Sequence, residues 1–191
     1  MSNTHMDERG GLVETAREVA RRLVGPLGRR WVHVQAVGRR AEELRPAVGG
    51  DGDVLVAAAW LHDVGYAPEI AVTRFHPLDG ARYLADAGFP VRVVGLVAHH
   101  SGARFEAAER GLAAELAAFE LEDSPVMDAL ITADLTTGPD GQRYTYSQRI
   151  DEIMSRYPAG DPVHRAWLMA RDALEPAVAR TEERMRAGQP R

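Results

Sequence analysis

Residues 53–63, DVLVAAAWLHD, constrain the chain most. The run is apolar from Val54 to Leu61 and then ends on a His-Asp pair. Periodicity over so short a run does not separate a buried strand from a buried helix. Its three alanines and its length favour a helix packed on all sides. Such an element needs other helices around it. It also needs partners for the polar pair at its end, because a buried carboxylate without a cation or hydrogen bonds is strongly penalised.

The remaining chain reads as helices joined by Gly/Pro loops. Residues 12–24 place Leu12, Val19, Leu23 and Val24 near one face, and Gly25-Pro26 and Gly28 end that segment. A helix over 29–44 carries His33 and breaks at Pro46 and the 49–52 glycine cluster. Pro77 suits the first turn of a helix over 76–87, and a further helix is expected over 91–100. One helix is expected over about 105–119. Ser124 is the natural N-cap for 126–136. Helices over 145–156 and 162–187 complete an all-α chain, with Pro176 placed to kink or divide the last. No repeat, coiled coil or strand-rich segment interrupts this pattern.

A chain of 191 residues, 45% hydrophobic, suits one compact domain. The expected division is a loose tail over 1–10, His5 included, and a single helical domain over 11–187. Cysteine is absent, which excludes a zinc ribbon, an iron–sulfur cluster, a disulfide framework and a thiol nucleophile. Any metal must then be held by histidine and carboxylate. All 23 basic residues are arginine, which reads as coding bias. A net charge of −5 and a pI near 5.8 argue against broad nucleic-acid binding. They leave room for a small anionic substrate, since a metal ion can reverse the sign of a pocket. No apolar run is long enough to span a bilayer and residues 1–10 lack a secretory core, so a cytoplasmic protein without membrane contact is expected.

Five of the seven histidines fall between residues 33 and 100, and two adjacent pairs stand out, His62-Asp63 and His99-His100. Each pair closes an apolar run and precedes a glycine within two residues. Adjacent helical residues point about 100° apart, so both meet one site only at a helix end or between converging helices. A metal ion would satisfy such polar ends directly, because neutral imidazole and ionised carboxylate are its usual ligands without cysteine. The ordered set is His33, His62-Asp63, His76, His99-His100 and Asp134.

At WVHVQAV, AAAWLHDVGY and ITADLTT the chain resembles the HD superfamily, named for its His-Asp pair. The resemblance covers roughly residues 30–137. It implies a single-domain HD-type helical bundle holding divalent metal through His33, His62, Asp63 and Asp134. The chemistry it implies is phosphoester hydrolysis by a metal-activated water, often on nucleotides, with His62 and Asp63 at its centre. FHPLDGARYL and LVAHHSG look like the corresponding segments of two-metal members, among them cyclic-dinucleotide phosphodiesterases and symmetrical dinucleoside tetraphosphatases. That likeness implies a bridging Asp63, with His33, His62 and Asp134 on one ion and His76, His99 and His100 on the second. The tetraphosphatase-like pattern favours His100 over His99. Alternatively one of the pair binds metal and the other contacts a substrate phosphate. One or two ions are expected, from Fe, Mn, Co, Ni, Zn or Mg.

The chain also departs from its relatives. No GYP follows His100, Tyr66 stands where many relatives carry lysine, and the loop from Asp63 to His76 is short. Arginines are the obvious phosphate partners in a chain without lysine. Arg74 and Arg143, with Tyr66, are the candidate substrate contacts; Arg104, Arg149 and Glu69 also lie near the motif segments. His164 and the tryptophans Trp31, Trp60 and Trp167 read as structural. The expected partner is a small phosphorylated, nucleotide-like molecule. Two other readings belong to the same resemblance: a diiron oxygenase of the myo-inositol oxygenase kind, and a non-catalytic ligand-sensing module.

Overall fold

A computed structural model describes residues 8–188. Of the tail expected over 1–10, residues 1–7, with His5, lie outside the described residues, whereas 8–10 already belong to the first helix. Among the described residues the chain is all-α: α1 (Glu8–Val24), α2 (Arg29–Glu43), α3 (Gly52–Leu61), α4 (His76–Asp86), α5 (Val91–His99), α6 (Ala103–Arg110), α7 (Ala113–Leu116), α8 (Pro125–Leu135), α9 (Tyr146–Arg156) and α10 (Pro162–Ala187). None of these helices is long and apolar enough to cross a membrane.

The apolar segment forms α3 and lies at the centre. Leu55, Val56, Ala57, Ala58, Ala59 and Leu61 are all buried. Helices α1, α2, α5 and α8 pack around it. A helix that is apolar on every side is stable only when wrapped in this way. Helix α8 is the second buried element, with every residue from Val126 to Leu135 inside. Two apolar clusters result. One joins α3 to α8, α9 and α10, and the other joins α1 to α3, α4 and α5. Trp167 is buried in the first; Trp31 and Trp60 are half-buried, and Trp60 touches both clusters.

Local chemistry sets the helix ends. Ser124 Oγ accepts from the Met127 N–H at 3.2 Å, capping α8 as expected. Thr145 and Gln148 close a capping box at the start of α9. The single helix expected over 105–119 is instead two, α6 and α7. Gly111 adopts a left-handed φ of 71°, and the Leu112 N–H returns to the Ala107 carbonyl at 2.8 Å, which ends α6. Pro176 does not divide the last segment, and α10 runs unbroken past it. Helix α10 is clamped to α8 by Asp128, buried near the start of α8, which accepts from Arg180 (2.9 Å) and Arg184 (2.8 Å).

Candidate metal centre

The His-Asp pair sits just past the end of α3, where the last turn opens towards α2, α4, α5 and α8. His62 is buried, and its Nδ1–H donates to the Ala59 carbonyl at 2.7 Å. This bond sets the tautomer and aims Nε2 into the site. His33 on α2 is held similarly, Nδ1 to the Gly138 carbonyl at 3.1 Å. His100, the residue after α5, bonds through Nδ1 to the Val97 carbonyl at 2.7 Å. His33 and His62 thus turn Nε2 towards the carboxylates of Asp134 and Asp63, and His100 turns its Nε2 towards His76.

The ligand atoms fall into two groups: His33, His62 and Asp134 in the first, and Asp63, His76 and His100 in the second. In the first, His33 Nε2 stands 3.1 Å and His62 Nε2 4.0 Å from Asp134 Oδ1. In the second, His76 Nε2 stands 3.3 Å from Asp63 Oδ1 and 3.2 Å from His100 Nε2. Asp63 faces both: its Oδ2 lies 3.4 Å from His62 Nε2 and its Oδ1 faces His76.

A cation fits this donor set. A neutral imidazole carries one ring proton. With Nδ1–H spent on a backbone carbonyl, His33 turns a lone pair towards a carboxylate, and His100 turns one towards His76. His62 Nε2 is buried with no hydrogen-bond partner. Electrostatics point the same way. Burial works against a charged His62, yet the carboxylates of Asp63 and Asp134 outweigh it and raise its pKa to about 9. Burial also opposes ionisation of Asp63, but His62 and Arg30 hold it well below the usual carboxylate range. Asp134 is lowered likewise, against burial, by its hydrogen bond to His33 and by His62. Burial keeps His76 and His100 below the ordinary histidine value. The two ionised carboxylates therefore hold a proton on His62, in the place that a divalent cation bound by oxygen and nitrogen would take.

Helix positions explain the convergence. Val64–Tyr66 form a single 3-10 turn against α4. A Cβ on Gly65 would lie 2.0 Å from the His76 carbonyl oxygen, so only glycine lets His76 approach Asp63 this closely. The loop before His76 wraps the buried Asp79 carboxylate, which accepts from the backbone N–H groups of Val72, Thr73 and Arg74. Arg74 consequently has a left-handed φ of 60°.

A model of the HD domain matches residues 30–133, more than half of the 191-residue chain. The chain belongs to the HD domain family. HD domains are commonly metal-dependent hydrolases, and Asp134 lies one residue beyond the matched stretch. No curated protein and no solved structure matches the chain.

Within this HD domain some expected contacts stand elsewhere. His99 leaves the cluster, its Nε2 on the Phe119 carbonyl at 2.9 Å. The α-helix ends at His99, so the next residue, not this one, turns into the centre. Arg74 and Arg143, expected to contact substrate, do not line the cavity at the centre. Arg74 is exposed on the Asp79 loop, and Arg143 is exposed and bonded to Glu43 at 2.7 Å. Glu69 pairs with Arg22 at 3.1 Å on the surface, and Arg104 lines a separate pocket with His99. Tyr66 does line the central cavity, stacked on His76 with ring centroids 4.0 Å apart.

Three further residues enter the centre. Arg30 bonds Asp63 Oδ2 at 2.8 Å and lies 4.0 Å over the Tyr66 ring. Ser101 Oγ donates to Asp134 Oδ2 at 2.5 Å. Buried Arg149 brings Nη2 to 3.9 Å from Asp134 Oδ1. Arg149 was among the arginines that the sequence placed near the motif segments. Arg30 was not singled out there, although its place three residues before His33 puts it on the same helix face; Ser101 carried no such signal.

Proposed function

We propose that this HD domain is a metal-dependent phosphohydrolase acting on a phosphate ester of a nucleotide, dinucleotide or related small molecule. The observation that carries the reading is the position of Asp63, with one oxygen facing each ligand group. Asp63 would bridge two ions, the first completed by His33, His62 and Asp134 and the second by His76 and His100. Divalent metal held there would lower the pKa of water it contacts and offset charge on a phosphoryl oxygen.

The chain's own residues would do the rest. Ser101 holds Asp134 in place, and backbone carbonyls hold three imidazoles, so the ligand set is oriented before metal arrives. Arg30 and Arg149 line the cavity beside the two carboxylates and would bind phosphoryl oxygens, a task suited to guanidinium geometry. Tyr66 would lie against the substrate at the mouth. The chain contains no cysteine nucleophile, and no serine nucleophile is needed when water attacks.

The test is a chromatographic assay against nucleoside monophosphates, triphosphates, cyclic dinucleotides and dinucleoside tetraphosphates. It is run with manganese, cobalt or anaerobic ferrous iron beside a chelated control. Metal-dependent cleavage of one class is expected, and Asp63→Ala should abolish both metal retention and turnover. Full turnover in Asp63→Ala would overturn the site. Silence across the panel by metal-loaded protein, with oxygen consumption on addition of a polyol, would replace hydrolysis by oxygen chemistry.

A further inference from the structure

Helix α9 brings two arginines to the cavity, and both are held by one carboxylate. Arg149 donates through Nη1 to Glu152, and Arg156 reaches the same Glu152 carboxylate through Nε at 3.1 Å. Both arginines line the cavity that holds the metal-ligand cluster. They differ in depth. Arg149 is 5% exposed, whereas Arg156 is at the rim with about a third of its side chain exposed. Seven residues separate them, close to two helical turns, so they share one face of α9.

Arg149 is also under-used. A guanidinium offers five N–H donors. Here Nη1 is on Glu152, Nη2 stands 3.9 Å from Asp134, beyond hydrogen-bond reach, and Nε is buried with no partner. Buried donors without acceptors are costly. An anion in the cavity would satisfy them. The cavity is about 80 Å³, far below the range that encloses a drug-sized ligand. A cavity of that size would admit the charged end of a substrate, with the remainder lying past Arg156 and Tyr157, which also line it.

We infer that α9 is a two-step anion clamp that selects substrates carrying two linked phosphoryl groups. This inference rests on the phosphohydrolase reading and narrows it to phosphoanhydride-containing substrates. Arg149 takes the phosphoryl group nearest the metal ligands. Arg156 takes the next one outward. Glu152 holds the two guanidinium groups in register, so the pair reads the spacing between adjacent phosphoryl groups as well as their charge.

The test is calorimetric titration of the full-length manganese-loaded protein with inorganic phosphate and with methylenediphosphonate, which resists hydrolysis. Metal content is checked before and after. The wild type is expected to bind the diphosphonate at least about tenfold more tightly than phosphate. Arg156→Ala should remove most of that preference, and Arg149→Gln should weaken both anions by about tenfold. Arg143→Ala, outside the cavity, serves as the control and should match the wild type. Should Arg149→Gln fail to fold, Arg149→Lys keeps the charge while losing the forked donors, and half-exposed Arg156 tests the clamp alone. An undiminished preference in Arg156→Ala would overturn the inference. Turnover of a panel substrate with both arginine variants binding normally would sink the clamp and leave the hydrolase intact. The expected binding pattern without turnover of any substrate would do the reverse.

Discussion

Asp63 concentrates the electrostatics of the molecule in one side chain. It is buried, ionised, bonded to Arg30 and set between two histidine groups. Its neighbour His62 gives a pH signature when metal is stripped by a chelator. The folded pKa of about 9 lies above the ordinary 6.5, so the charged ring stabilises the fold fully below about pH 6.5. That stabilisation is lost as pH rises through about 9. Urea denaturation of the chelated protein at pH 6.5 and pH 9.5 should show lower stability at the higher value. The difference should shrink in Asp63→Asn, which removes the main opposing charge. Ser101 makes a second residue-scale case. Its hydroxyl orients Asp134, it is not itself one of the grouped histidine and aspartate ligands, and its φ of 51° is unusual for a serine. Ser101→Ala is expected to fold and to lose about 10–100-fold in metal affinity, read by competition with a chelating dye.

Among the elements, the 3-10 turn after the His-Asp pair has the tightest tolerance. Gly65 packs directly on the backbone at His76 and Gly80, where no side chain can give way. Gly65→Ala should therefore destabilise the fold by about 1–3 kcal/mol or more. It should also displace His76, so that the mutant retains less metal than the wild type under equal dialysis. A mutant with normal stability and normal metal content would show that α4 is free to shift. The same scale explains the two histidines at 99 and 100. Helical geometry turns successive side chains about 100° apart, and α5 ends between them. One ring then faces α7's neighbour Phe119 and the other faces the centre.

For the whole molecule, the centre ties together α2, the end of α3, α4, the end of α5 and α8, which otherwise meet through apolar packing. Metal that binds only the folded chain adds stability by mass action, about 2.7 kcal/mol at a hundredfold excess over Kd. For a domain of this size that corresponds to a rise of roughly 5–10 °C in Tm. Scanning calorimetry with manganese and then with chelator should show the shift. An unchanged Tm, with metal bound, would mean that the centre does not couple these helices.

Much was legible in the chain itself, because helix formation and capping are local. Apolar periodicity, Pro77, Ser124 and the Gly/Pro breaks mark nearly every helix, and the all-apolar 54–61 run demands a central position. The chemistry of the centre was legible too, since without cysteine only histidine and carboxylate remain to hold a metal. Other features depend on distances between segments far apart in sequence. The facing of the two Asp63 oxygens, the exclusion of His99 and the exposure of Arg74 and Arg143 are of this kind. So is the burial of Arg149, which α9 carries to Asp134 from a turn beyond the motif segments. Local periodicity and ligand chemistry need no third dimension, so the wrapped helical bundle and the residue types able to bind metal could be read from the chain. Which of those residues meet follows from helix packing, which sets the direction of every side chain at the centre.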